Sequence, residues 1–140
     1  MPATEQEPAE PVLGHGSVLY VDDEKTLSIA VARMLESLGY RTTVCNSGAE
    51  AIDLVRQNPQ AFDVVLTDLS MPGLSGTDVA REVLRIRPGL PVVLTSGYAE
   101  RAGENLAAHG ICLRLDKPFD RVSLSAALSQ VRAKSIKAAG

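Results

Sequence analysis

The sequence predicts an α/β fold: a doubly wound, five-stranded parallel sheet with helices on both faces. Three observations point there. Short apolar runs of strand length alternate with longer stretches of helical period, five times over. Runs such as 63–67 (DVVLT) and 91–95 (PVVLT) place apolar residues at consecutive positions, as a strand covered on both faces requires. And 140 residues suffice to bury one core without a disulfide or a structural metal.

Residues 1–16 are rich in Pro, Gly and Glu and read as a linker or tail. Ser17–Val21 is the first strand. Leu27, Ala30, Val31, Met34, Leu35 and Leu38 then recur at helical spacing as one apolar stripe, and Gly39 ends it. Arg41–Cys45, with Thr42, Thr43 and Val44, is a second strand. Ser47 caps the next helix with Glu50 as its capping-box partner; Ala51, Ile52 and Val55 face inward, and the helix ends near Pro59. The third strand is 63–67. A helix from Ser75 to Ile86 turns Val79, Val83 and Leu84 inward and stops at Pro88-Gly89. The fourth strand is 91–95. A weaker helix over 99–108 is interrupted by Gly103, and 111–115 is the fifth strand. Asp120 caps a last helix bearing Val122, Leu124, Leu128 and Val131. The folded unit is thus 17–134, with 135–140 a C-terminal tail. Crossovers between the parallel strands are right-handed by the general rule.

Composition excludes several classes. Fourteen basic residues against 17 acidic give a net charge of -3, with no clustered basic surface for nucleic acid. No apolar run approaches the roughly 20 residues of a membrane span, and MPATEQEPAEPV lacks the basic start and apolar middle of a signal peptide. Cys45 and Cys112 each sit in an apolar stretch without a CxxC or a nearby His. They read as reduced core cysteines in a cytoplasmic protein. His15 falls in the linker and His109 on the surface, neither in a metal-ligand cluster.

In a doubly wound sheet, ligands gather at the carboxyl ends of the strands where the strand order reverses. The polar residues just past each strand are therefore the candidates. They are Asp22 and Asp23 after the first strand, Asp68 after the third, Thr95, Ser96 and Gly97 after the fourth, and Asp116, Lys117 and Pro118 after the fifth. Taken singly these have ordinary explanations. Asp22 and Glu24 suit a helix N-terminus, Asp68 a turn before Met71-Pro72-Gly73, and Lys117 and Asp116 a solvated rim. Converging on one rim, three carboxylates repel one another and call for a hard cation such as Mg²⁺, which prefers oxygen ligands.

Four motifs in this order, VDDE (21–24), TDLSMPGLSG (67–76), PVVLTSG (91–97) and KPF (117–119), resemble the receiver domain of two-component response regulators. The resemblance spans 17–134. It implies a flavodoxin-like sheet of order 2-1-3-4-5 with five helices. It implies Asp68 as the acceptor of a phosphoryl group from a histidine kinase or phosphotransfer domain. It implies Asp22, Asp23, Asp68 and the Ser70 backbone carbonyl as the Mg²⁺ site, and Lys117 as the contact to the phosphoryl group. Ser96 rather than Thr95 is implied as the switch hydroxyl, being five residues after Pro91 and followed by the small Gly97. The same resemblance implies a cis Lys117–Pro118 bond. A downstream protein would dock on the face made by the fourth helix, fifth strand and fifth helix.

Two positions depart from the pattern. Arg114 stands where the family usually has a switching aromatic, and an Arg is expected to stay solvated. Tyr98, two residues past Ser96, is placed to overhang the phosphoryl site and shield it from water. The expectation is a signalling domain that catalyses its own phosphorylation and dephosphorylation, without nucleic-acid or membrane contact. It is either a free-standing regulator or the receiver of a larger protein. The Pro/Glu-rich lead-in and LTSGY are similar to C-terminal receivers of hybrid sensor histidine kinases. Two other readings share the site: a Mg²⁺-dependent phosphatase with an aspartyl-phosphate intermediate, and a pseudo-receiver that works without phosphorylation. Against the first, Ser70 stands where such phosphatases place a second acid. Against the second, Asp22, Asp23, Asp68, Ser96 and Lys117 are all intact.

Overall fold

The computed structural model describes residues 14–97 and 110–139, with side chains to residue 131. Five parallel strands, β1 (Ser17–Val21), β2 (Arg41–Cys45), β3 (Val64–Asp68), β4 (Val92–Ser96) and β5 (Leu113–Asp116), form one sheet in the order β2-β1-β3-β4-β5. Four helices lie among the described residues: α1 (Lys25–Ser37), α2 (Gly48–Gln57), α3 (Gly76–Ile86) and α4 (Arg121–Ala139). The helix expected over 99–108, Tyr98 and His109 lie outside the described residues.

Strand alternation divides the core into two layers. Val18 and Tyr20 of β1, Val64 and Leu66 of β3 and Val93 of β4 pack with Val31 and Leu35 of α1 and Leu124 and Leu128 of α4. Leu19, Val21, Val65, Val92 and Leu94 point the other way, onto Ala51, Ile52 and Val55 of α2 and Val79, Ala80 and Val83 of α3. That two-sided burial is why consecutive positions in the central strands are apolar.

Helix ends obey local chemistry. Ser75 and Asp78 close a full capping box at α3: the Asp78 amide donates to Ser75 Oγ (3.3 Å) and the Ser75 amide to Asp78 Oδ2 (2.9 Å). At α2 only half of the expected box forms. The Glu50 amide donates to Ser47 Oγ, but Glu50 Oε1 takes the amide of Asn46 instead of that of Ser47. Asp120 accepts from the Ser123 amide at 2.8 Å, and these bonds hold its carboxyl below the usual range. α4 continues through 135–139, the residues expected as a tail; from Arg121 onward no Gly or Pro interrupts the helix before Gly140.

Two burial expectations are corrected. Ala30 is exposed on α1, and Ser28 is buried in its stead, its hydroxyl satisfied by the Asp22 and Glu24 carbonyls (3.2 and 2.9 Å). Cys45 is buried in the core, whereas Cys112 is exposed just before the edge strand β5. An edge strand is covered less than the centre of a sheet, so an apolar neighbourhood in sequence did not ensure burial there.

Candidate functional site

The carboxyl ends of β1, β3 and β5 bring the expected residues together. Carboxylate oxygens of Asp22, Asp23 and Asp68 all lie within 4.8 Å of one another, with Asp22 and Asp68 buried and Asp23 exposed at the lip. Lys117 Nζ bridges two of them, 3.0 Å from Asp68 Oδ1 and 3.3 Å from Asp22 Oδ2. Burial alone would depress the Lys117 pKa, but Asp68 and Asp22 together outweigh it and raise it, so the side chain remains an ammonium. Three carboxylates against one ammonium leave the cluster negative. Its donors are all oxygen and close enough to share one ion, which suits a hard divalent cation.

Backbone bonds fix these side chains. The Asp22 amide donates to the Cys45 carbonyl (3.1 Å), and the Asp22 carbonyl accepts from Asn46 Nδ2 (2.8 Å) and Ser28 Oγ (3.2 Å). The carboxylate of Asp22 accepts the Glu24 amide on Oδ1 (2.9 Å) and the Tyr20 hydroxyl on Oδ2 (2.8 Å). The Lys117 amide donates to the Ser96 carbonyl at 2.8 Å, tying the lysine to the end of β4. Lys117–Pro118 is cis. Behind Asp68, Gly76 opens α3 with its amide on the Leu69 carbonyl (2.8 Å), so close that a side chain there would run into the Asp68 carbonyl and Leu94.

Thr95 lies beside Asp68 in register, and Ser96 is the last residue of β4. Both hydroxyls are buried, and neither has a hydrogen-bond partner among the described residues. Ser70 is exposed in the loop after β3. Arg114 is half-buried rather than free in solvent, and its Nε lies 3.4 Å from Asp116 Oδ1. Asp116 is exposed, as a rim charge should be. Beside Lys117 an apolar recess of about 330 Å³ is lined by Leu27, Val31 and Met34 of α1 and by Pro118 and Phe119.

Sequence reasoning missed Tyr20. The signal was available: Tyr20 and Asp22 are two residues apart on one strand, hence on one face. A hydroxyl-bearing aromatic there reaches the carboxylate from below.

The family model for the response regulator receiver domain matches residues 18–129. The chain belongs to the response regulator receiver domain family. The sensor kinase CckA of Brucella abortus is 32% identical over 91% of this chain and 14% of its own length. The transcriptional regulatory protein ZraR of Escherichia coli is 33% identical over 83% of this chain and 26% of its own length. The chain therefore spans only a small part of these relatives. Among solved structures, a response regulator receiver domain protein from Clostridium thermocellum is similar with a TM-score of 0.79 and 31% identity, over 86% of this chain and 97% of that one. The receiver domain of a sensor histidine kinase from Pseudomonas aeruginosa, described with a magnesium ion coordinated in its active-site cleft, superposes with a TM-score of 0.75. It shares 28% identity over 84% of this chain and 98% of that one.

This receiver is thus a signalling domain of two-component systems, a family whose members accept phosphate on an aspartate and bind Mg²⁺ in an acidic pocket. Among the described residues no helix is long and apolar enough to cross a membrane.

Proposed function

We propose that this receiver accepts a phosphoryl group on Asp68 from a phosphohistidine and returns it to water, both steps being catalysed by its own residues. The observation that carries this reading is the grouping of three carboxylates within 4.8 Å, with Lys117 Nζ 3.0 Å from Asp68. Asp22, Asp23, Asp68 and the Ser70 carbonyl are the residues that would hold Mg²⁺. When bound, the ion supplies charge neutralisation for the phosphoryl oxygens.

The remaining work belongs to the chain. An Asp68 carboxylate oxygen bonds to phosphorus as the P–N bond to the donor imidazole breaks, and the imidazole nitrogen keeps the electron pair. Lys117, already against Asp68, is positioned to follow the incoming negative charge. The transition state is loose, so in-line positioning and charge compensation provide most of the catalysis. Ser96 brings a buried hydroxyl with no described partner to the end of the adjacent strand, able to donate to a phosphoryl oxygen and draw its loop inward. The apolar recess shares Lys117 with the site, so a phosphodonor resting apolar side chains there is held next to Asp68.

On this reading 17–134 form the receiver unit in the cytoplasm. The face that includes β5 and α4 then carries the output. Relatives such as the sensor kinase CckA support a place within a hybrid kinase. A phosphatase reading is weaker, because its second acid would have to stand at Ser70.

Intact mass after incubation with Mg²⁺ and acetyl phosphate tests the proposal. One phosphate adduct, absent in Asp68→Asn, is expected. Repeated turnover of phosphomonoesters would establish the phosphatase, and no adduct from acetyl phosphate or a phosphohistidine donor would establish a pseudo-receiver.

A further inference from the structure

We infer that Tyr20 is a positioning residue of the metal-binding pocket, acting through Asp22. The inference rests on the proposed Mg²⁺ site. Tyr20 is fully buried in β1, and its hydroxyl donates to Asp22 Oδ2 at 2.8 Å. Asp22 is also fully buried, so its charge must be met by protein donors. Among the described residues there are three: the Glu24 amide on Oδ1, and the Tyr20 hydroxyl and Lys117 Nζ on Oδ2.

These donors differ in permanence. Lys117 lies closer to Asp68 (3.0 Å) than to Asp22 (3.3 Å) and ends a flexible side chain. It is the donor that must leave when a phosphoryl group arrives on Asp68. The Glu24 amide is fixed by the backbone at the start of α1. The Tyr20 hydroxyl is fixed by a ring packed in the layer with Val18, Leu66 and Val93. Together they anchor both oxygens of Asp22 from the protein side. The carboxylate then keeps one orientation toward the cation or its water while Lys117 moves. Without the hydroxyl, Oδ2 has only the lysine among the described residues, and the carboxylate plane is held at one oxygen.

The test is Tyr20→Phe, which removes the hydroxyl and keeps the ring. MgCl₂ is titrated into isotope-labelled protein and followed by amide chemical shifts, well below the melting temperature. Outer-shell hydrogen bonds of this kind set metal affinity by about 10–100-fold, and Kd is expected to rise about tenfold. The same substitution in an Asp22→Ala background should change Kd by less than about twofold, because the group acted upon is gone. A purely structural role would lower the metal-free melting temperature and leave Kd unchanged.

An unchanged or tighter Kd in Tyr20→Phe overturns the inference, as does an equal loss in both backgrounds. If Asp22→Ala does not fold, the Kd of Tyr20→Phe alone decides. A parent protein that shows no Mg²⁺-dependent shifts overturns the metal site and this inference with it. A parent that responds, beside a Tyr20→Phe that matches it, overturns the inference alone.

Discussion

Replacing Asp23 by Asn should make this protein more stable without Mg²⁺ and less responsive to it. Asp23 is the exposed member of a trio whose oxygens lie within 4.8 Å. At that separation two unit charges repel by about 0.9 kcal/mol in water and by about 3.5 kcal/mol at an effective dielectric of about 20. Because Asp23 meets solvent, the lower figure governs, and its two pairs together cost about 2 kcal/mol. Lys117, seated against Asp22 and Asp68, also attracts Asp23 and offsets up to about half of this, leaving about 1 kcal/mol. In a domain of this size about 1 kcal/mol corresponds to roughly 3–5 °C in melting temperature. The parent should recover through binding: at Mg²⁺ tenfold above Kd the gain is about 1.4 kcal/mol. Melting curves of parent and Asp23→Asn, with EDTA and across an Mg²⁺ series, should therefore converge as Mg²⁺ rises. A variant that melts below the parent in EDTA, or gains as much from Mg²⁺ as the parent does, would refute the electrostatic argument.

The same geometry sets other outcomes. Lys117→Met leaves two buried carboxylates without their ammonium; it should lose about 2 kcal/mol in urea denaturation, recover much of it with Mg²⁺, and form little phosphoryl adduct. Gly76→Ala drives a methyl into the Asp68 carbonyl and Leu94; it should cost about 1–3 kcal/mol by thermal melt and slow adduct formation by mass spectrometry, whereas an unchanged melt would contradict the close packing. Burial, reinforced by the Glu50 charge, pushes the Cys45 thiol up to about 12, so a thiol reagent at pH 8 should label Cys112 at once and Cys45 only on unfolding. That raised pKa also gives a stability term complete below the unfolded value of 9.0 and lost as pH rises toward 12. Cys45→Ala should accordingly flatten the alkaline decline by about 1.4 kcal/mol per pH unit across that window.

Much of this molecule was legible because the strongest constraints repeat along the chain. Central strands buried on both sides had to be apolar at consecutive positions up to their carboxyl ends, and β1, β3 and β4 read that way. Asp22, Asp23, Asp68 and Lys117 were found by inspecting the polar residues at the carboxyl end of each strand, a rule that depends on topology rather than on exact contacts. What escaped depended on third parties. Ser28 went inward instead of Ala30 because carbonyls of the β1–α1 turn awaited its hydroxyl. Cys112 stayed outside because β5 is an edge. Tyr20 counted as one more apolar strand residue; its spacing from Asp22 was in view, but spacing alone does not say that the hydroxyl bonds the carboxylate.

The Lys117–Asp22 contact joins residues 95 positions apart in sequence. Closing so long a loop costs entropy before the contact can reward it, and parallel pairings of high contact order form slowly. Asp22, Asp68 and Lys117 leave three different strands, so the carboxylates gain their ammonium only once β5 has paired with β4. Competence for phosphoryl transfer therefore comes late, after the last strand has docked. A receiver built in this order cannot signal from a half-made sheet, and the rate at which adduct-forming activity appears on refolding should report completion of the whole fold.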